Sequence, residues 1–334
     1  MSYGDAEFGF ELLACRWAEL AWPPDERRDS AVFVSRQLGT QKRRWDTIVV
    51  ECDPEALAAR RAFGDDALDS DLLHVVRNAP AEWAYYRDAL PQPGYPWRYV
   101  REAIHRAAAR GVVEKRKNGN RIEIRRVAPY PDWVRRVVAI ENKPDLDASA
   151  ARALSSQLRH DVDTALADEV WVATAATGAS VEPALLEDLP VDVGILTLDF
   201  SRGVVAGAAD VAWHPSALDV DGDSAEFTAD EKAERRLQIA ERAYGKGWRS
   251  FHETMRPDCR EFELRREGRA LVPWCAAKGC GQTAAQCSSS CAEFSPEPPQ
   301  WRVKGWPVEG GPGKGIKRLL ANRREWVRER ETGE

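Results

Sequence analysis

The stretches WDTIVVEC (residues 45–52) and VVAIENK (residues 137–143) decide how this chain is read. Both are dense in apolar and β-branched residues, the composition of a buried strand. Side chains on a strand alternate between its two faces, so Glu141 and Lys143 project from the same face at the end of the second stretch. Asp46 stands at the start of the first. Two carboxylates from neighbouring strands form an oxygen-donor site suited to a hard cation such as Mg2+. A lysine beside them can stabilise charge developing on a phosphate. An E-x-K triplet by itself is a weak signal and usually marks a solvated strand end. Here it closes an apolar strand and follows an acid-bearing one.

Working outward, residues 4–21 read as a helix. Phe8, Leu12, Leu13 and Trp17 recur at helical spacing, and Trp22-Pro23-Pro24 ends it. Ala31–Arg36 is an extended candidate. After the E-x-K strand come a helix at Ala148–Leu166, a strand at Glu169–Ala173, a short helical piece at Leu185–Leu189 and a strand at Val193–Asp199. Val204–Ala208 then reads as a further extended segment. These pieces predict a mixed α/β core built from residues 1–69 and 129–215, interrupted by residues 70–128.

The interruption has its own pattern. Leu72–Arg77, Glu82–Leu90 and Trp97–Arg110 read as three helices. Val112–Lys117 and Arg121–Val127 flank Asn118-Gly119-Asn120, a strong hairpin turn. Three helices and a hairpin give the order of a winged helix-turn-helix. Between Tyr95 and Arg126 there are ten Lys or Arg and three acids, a local net of +7 in a chain whose formal net charge is −6. In the third helix Val100, Ile104 and Ala108 can pack inward while Arg98, Arg101 and His105 face out. Such a clustered excess points to DNA, with Arg98, Arg101, Lys115, Arg116, Lys117 and Arg121 as the contacting residues. A winged helix used for protein contact is the alternative.

Residues 216–334 form the remainder: a charged helix at Thr228–Tyr244, five of the seven cysteines between residues 255 and 300, a Gly- and Pro-rich run at 305–315 and a basic helix from Ile316. Cys275, Cys280, Cys287 and Cys291 have the spacing C-x4-C-x6-C-x3-C. Four thiolates in a Gly- and Ser-rich segment suit a tetrahedral metal. Zn2+ is the first expectation and a [4Fe–4S] cluster the second, with Cys259 as a substitute ligand.

The 334 residues suffice for two or three domains, and at 43% hydrophobic the chain has material for globular cores. No apolar run is long enough to span a bilayer. MSYGDAEFGF lacks the basic start and apolar run of a signal peptide. The expectation is a cytoplasmic protein with no membrane partner, whose cysteines are thiols or metal ligands rather than disulfides.

Asp46 on one strand and Glu141-Asn142-Lys143 on the next resemble the PD-(D/E)XK nuclease superfamily, across about residues 4–60 and 130–210. The resemblance extends to a first helix bearing Glu7 and Glu11, to Gln157 on the helix after the E-x-K strand, and to the strand ADEVWVAT (167–174). Asp161 stands where RecB-type members of that superfamily carry a Tyr. The resemblance implies a restriction endonuclease-like mixed-sheet core of α/β class, with an inserted winged-helix domain and a small Cys-rich metal-binding C-terminal region. It implies Mg2+ or Mn2+ at Asp46 and Glu141, with Lys143 orienting or deprotonating the attacking water. Glu11, or equally Glu7, would help hold metal or water, and Gln157 would orient the site. Some RecB-like nucleases also pin their C-terminal segment with a [4Fe–4S] cluster. The implied activity is a metal-dependent DNA nuclease in repair, processing or defence; the alternative is a DNA-binding regulator on an inactive nuclease-like scaffold. The chain also resembles a haloarchaeal family of uncharacterised function.

Overall fold

A computed structural model of the chain describes residues 3–24, 30–39, 43–64, 67–176, 187–248, 259–267, 270–281 and 291–295. Its centre is a mixed six-stranded sheet in the order β1-β2-β6-β7-β8-β9. The strands are β1 (Ala31–Gly39), β2 (Arg44–Cys52), β6 (Val134–Asn142), β7 (Glu169–Ala175), β8 (Gly194–Leu198) and β9 (Ala209–Trp213). β2 runs antiparallel to both of its neighbours, β1 and β6; β6, β7 and β8 run parallel, and β9 returns antiparallel. The parallel step from β6 to β7 is made by helix α6 (Ala148–Thr164), whose start is capped by Asp147 accepting from Ala150 N at 2.7 Å.

Helices cover both faces of the sheet. On one face α1 (Tyr3–Ala21) lays Leu12, Cys15 and Trp17 over Val49, Val138 and Ile140. On the other, α6 and α7 (Ala229–Lys246) set Leu154, Leu158, Ile239 and Tyr244 against Ile48, Val50, Val137 and Ala139. Burial on both faces is why WDTIVVEC and VVAIENK read as unbroken apolar runs. α7 opens with a capping box, Thr228 and Glu231 exchanging hydrogen bonds.

Between β2 and β6 the chain makes α2 (Pro54–Arg60), α3 (Ser70–Asn78), β3 (Ala84–Tyr85), α4 (Tyr86–Ala89), α5 (Trp97–Ala109), β4 (Val113–Asn118) and β5 (Arg121–Arg126). From α3 onward these elements share a core of Leu72, Val76, Tyr86, Val100, Ile104 and Ile124. β3, β5 and β4 form a three-stranded sheet in that order. A third small sheet follows α7, made of β10 (Phe262–Glu267), β11 (Ala270–Cys275) and β12 (Cys280–Gly281).

Two sequence expectations need correction. Glu82–Leu90 is not one helix: Ala84 pairs with Ile124, drawing Ala84–Tyr85 into the small sheet, and only Tyr86–Ala89 is helical before the prolines at 91 and 93. Val204–Ala208 is not a strand. The turn at Gly203 (φ +84°) leads into a 3-10 turn at Ala206–Ala208, and pairing with β8 resumes only at Ala209. Asp199 N donates to Ala208 O at 2.7 Å, which fixes that return register. Leu185 and Leu186 of the short helix expected at Leu185–Leu189, the Gly- and Pro-rich run and the basic terminal helix lie outside the described residues. No helix among the described residues is long and apolar enough to cross a membrane.

A fully buried ion pair joins the exit and re-entry points of the 70–128 segment. Arg60, at the end of α2, binds Glu241 of α7 through Nε at 2.5 Å and Nη2 at 2.6 Å, with both side chains wholly inaccessible. Arg60 also donates to Gly64 O at 2.8 Å and stacks over Tyr244 at 4.5 Å. Glu241 accepts from Leu68 N at 2.7 Å and from the Tyr130 hydroxyl at 2.6 Å, and Trp133 donates to that hydroxyl at 2.7 Å. Removing one partner strands the other charge in the core. Glu241→Ala is expected to lower the unfolding free energy by about 3–5 kcal/mol in urea titrations. A loss below about 1 kcal/mol would mean that Arg60 escapes to solvent.

Candidate active site

The ladder between β2 and β6 ends at the Thr47–Ile140 pair, and Asp46 and Glu141 face each other one residue beyond it. Asp46 Oδ2 accepts from the backbone N of Asn142 at 3.0 Å, and Oδ1 accepts from Gln37 Nε2 at 3.1 Å. Gln37 sits opposite Asp46 on β1 with φ +52°, a left-handed conformation uncommon for a residue with a side chain. Its Nε2 also donates to Glu11 of α1 at 3.0 Å, so one amide ties two carboxylates together. Glu11 is buried and held by Arg36 through Nε at 2.9 Å and Nη2 at 3.2 Å. One turn earlier, Glu7 accepts from Lys143 Nζ at 2.8 Å. Glu7 and Glu11 of the first helix therefore both border the site.

Glu141 accepts from Arg43 Nη2 at 2.9 Å, and the same guanidinium binds the buried Asp161 of α6. Arg36, Gln37, Arg43 and the Arg43 contact of Asp161 had no motif to announce them; the left-handed Gln37 is visible only in three dimensions. Gln157, half-buried on α6, makes no hydrogen bond or ion pair among the described residues. Beneath the site, Asn142 donates to Thr47 Oγ1 at 2.9 Å, and Cys15 Sγ lies 3.2 Å from that oxygen. Burial pushes the Cys15 thiol up, so it stays neutral.

The charges are unevenly balanced. Glu7, Glu11, Glu141 and Asp161 each have a cation on them, whereas Asp46 accepts from an amide and a backbone N–H. Burial, then the neighbouring charges of Glu141 and Glu11, push the Asp46 carboxyl up to about 7. Lys143 is raised as well: its bond to Glu7 and the charges of Glu7, Asp46 and Glu141 favour the ammonium, so it is charged at neutral pH. Among the described residues no group of three or more His, Cys, Asp or Glu is placed to hold a metal ion. Asp46 and Glu141 alone give an all-oxygen pair with surplus negative charge, which fits Mg2+ or Mn2+ completed by water.

On the 70–128 segment the basic residues divide between two surfaces. On the outer face of the small sheet, Arg116 binds Glu123 at 2.6 Å, Arg125 binds Glu114, and both guanidiniums lie over Trp83 at 4.4 and 5.0 Å. Arg121 stacks on Tyr85 at 5.1 Å, and Arg98 on Tyr99 at 4.7 Å. Along α5 and the β4 edge, the exposed side chains of Arg101 and Lys117 make no ion pair among the described residues, and Lys115 lies against His105. Val100, Ala103, Ile104 and Ala107 form the inward face of α5.

Of the cysteines, Cys275 is buried at the end of β11 and Cys280 is its exposed cross-strand partner on β12. Gly279, at φ +64°, donates to Cys275 O at 2.9 Å and tightens that turn. Cys291 is half-buried, Cys259 is buried, and Cys287 lies outside the described residues.

A family model described as a family of unknown function (DUF5787) matches residues 33–296. No curated protein and no solved structure matches the chain.

The raised Asp46 carboxyl has a consequence for stability. An unfolded Asp titrates near 3.9. The group's contribution is therefore complete below about pH 4 and lost as pH rises through about 7. Asp46→Asn removes the ionisation. In EDTA at pH 8 the variant is expected to be more stable than the unaltered chain by about 1–3 kcal/mol, the gap closing toward pH 4.5. Thermal melts at both pH values test this, and equal melting at pH 8 would show that burial does not suppress the ionisation.

Proposed function

The chain belongs to the DUF5787 family, whose function is unknown, and from that premise we propose that it is a metal-dependent DNA nuclease. The observation that carries this reading is the convergence of Asp46, Glu141 and Lys143 at one end of the β2–β6 ladder, with Asp46 left without a cation against it. The element order α1-β1-β2-β6-α6-β7, with the acid on β2 and E-x-K on β6, agrees with the PD-(D/E)XK resemblance. Asp46 and Glu141 are the metal ligands. A bound Mg2+ or Mn2+ supplies Lewis-acid polarisation of the phosphate and a more acidic water. Glu11 fixes Asp46 through Gln37. Lys143, kept charged by Glu7, stabilises negative charge on the pentacovalent phosphate. An ammonium has no lone pair to accept a proton, so Lys143 orients the attacking water and does not deprotonate it.

DNA docks through the 70–128 segment, read as a winged helix in which α3, α4 and α5 are the helices and β4–β5 the wing. The return of β3 to pair with β5 supports that reading. Arg101, Lys115 and Lys117, on the surface without internal carboxylates, supply the main phosphate contacts. Arg98, Arg116 and Arg121 contribute from the stacked face. Cys275 and Cys280, with Cys287 and Cys291, hold a structural Zn2+ or [4Fe–4S] cluster.

One observation favours the second reading, a DNA-binding regulator on an inactive scaffold: Arg43 and Lys143 already neutralise Glu141 and Glu7 without a metal. Cleavage decides between them. Purified protein with Mg2+ or Mn2+ is expected to cut labelled single- or double-stranded DNA, and Lys143→Ala to lose about 100-fold or more of the rate while still binding DNA. Binding without cutting, in metal-replete protein at every salt concentration, favours the regulator. For docking, Lys117→Ala with Arg101→Ala is expected to flatten the salt dependence of DNA affinity by about two units of log–log slope, and Arg116→Ala by less. Equal effects would mean that the Arg116–Glu123 pair opens on DNA.

A further inference from the structure

We propose that Arg43 is an internal cation that closes on Glu141 in the metal-free protein and is displaced from it, but not from Asp161, when a divalent ion binds. This inference rests on the nuclease reading above.

The geometry is asymmetric. Arg43 holds Asp161 with two nitrogens: Nε lies 2.9 Å from Oδ1 and Nη2 lies 2.8 Å from Oδ2. It holds Glu141 with one, Nη2 at 2.9 Å from Oε2. The Asp161 side chain is 1% exposed and that of Glu141 is 14% exposed. The bidentate, more deeply buried bond is the persistent one. The single bond to Glu141 is the one that a competing cation breaks. Asp46 and Glu141 face each other, so an ion between them repels the guanidinium directly. Asp161 then keeps Arg43 at the rim of the site through Nε and one N–H of Nη2, and only the Nη2 N–H that pointed at Glu141 is turned away from it. A planar guanidinium whose N–H turns from Glu141 there matches an oxygen of the substrate phosphodiester. The structure thus assigns Asp161 a positioning role, exerted through Arg43.

A plain structural strut gives the opposite result, because breaking it loosens Glu141 and weakens metal binding. Calorimetric titration of the full chain with Mn2+ at low ionic strength separates the two. Arg43→Gln is expected to bind Mn2+ about tenfold more tightly than the unaltered chain, since a positive neighbour is gone. Asp161→Asn is expected to bind it more weakly, because Arg43 then rests wholly on Glu141. Arg43→Gln affinity that is unchanged or reduced overturns the proposal. Should Arg43→Gln fail to fold, the unaltered chain decides. The 1H–15N guanidinium signal of Arg43, assigned with Arg43→Lys, is expected to shift on Mg2+ saturation, and a signal that stays in place overturns the proposal. If neither chain binds Mn2+, the latch and the metal site fall together. If the chain cuts DNA while Arg43→Gln binds Mn2+ like the unaltered protein, only the latch falls.

Discussion

The site exists only because β2 and β6 lie side by side, although the chain leaves the core at Cys52 and returns at Val134. Closing so long an excursion costs entropy that grows slowly with length, so the cost itself does not forbid it. What must be specified is where the excursion begins and ends. The buried Arg60–Glu241 pair does this. On the way out Arg60 holds Gly64 O and Glu241 holds Leu68 N; on the way back Glu241 holds the Tyr130 hydroxyl, to which Trp133 donates. Every polar atom of the pair has a partner, the condition under which a buried ion pair is tolerated. With the crossing points fixed, the β2–β6 register brings Asp46 opposite Glu141.

Electrostatics at that end of the sheet work against stability. Five carboxylates approach one another, and four are balanced by Lys143, Arg36 and the shared Arg43. Asp46 is left among like charges and half-deprived of water, and its ionisation is suppressed as a result. A core designed only for stability would place Asn or an apolar residue there. Keeping an acid in that position is the stability–function trade-off that the proposed metal site would require. The left-handed Gln37 belongs to the same compromise, since it accepts a strained backbone to bridge Glu11 and Asp46.

The basic segment follows a similar logic at the surface. Counted along the sequence its charges look equivalent. In the folded chain Arg116 and Arg125 are committed to Glu123, Glu114 and the Trp83 ring, while Arg101 and Lys117 remain open to solvent. Cross-strand pairing makes that division, because residues opposite each other on β4 and β5 share a face.

Taken alone, the sequence determined the local features. The apolar runs at 45–52 and 137–143 became doubly covered strands, the helices α1, α5 and α6 fell close to their periodicities, and Asn118-Gly119 turned a hairpin. These are properties of short windows, in which burial pattern and turn chemistry dominate. Asp46, Glu141 and Lys143 were also legible, since a period of two and an apolar context suffice to place them. Tertiary structure decided what depends on distant partners. It drew Ala84–Tyr85 out of a helix and into a sheet, moved the last strand to Ala209, and left Gln157 apart from the hydrogen bonds of the site. It also gave Arg43 to both Glu141 and Asp161 and placed Glu7 and Glu11 on different cations. None of these follows from spacing, because each requires side chains from separate elements to meet. Only the packed sheet, with helices fixed on both faces, brings them within hydrogen-bond reach.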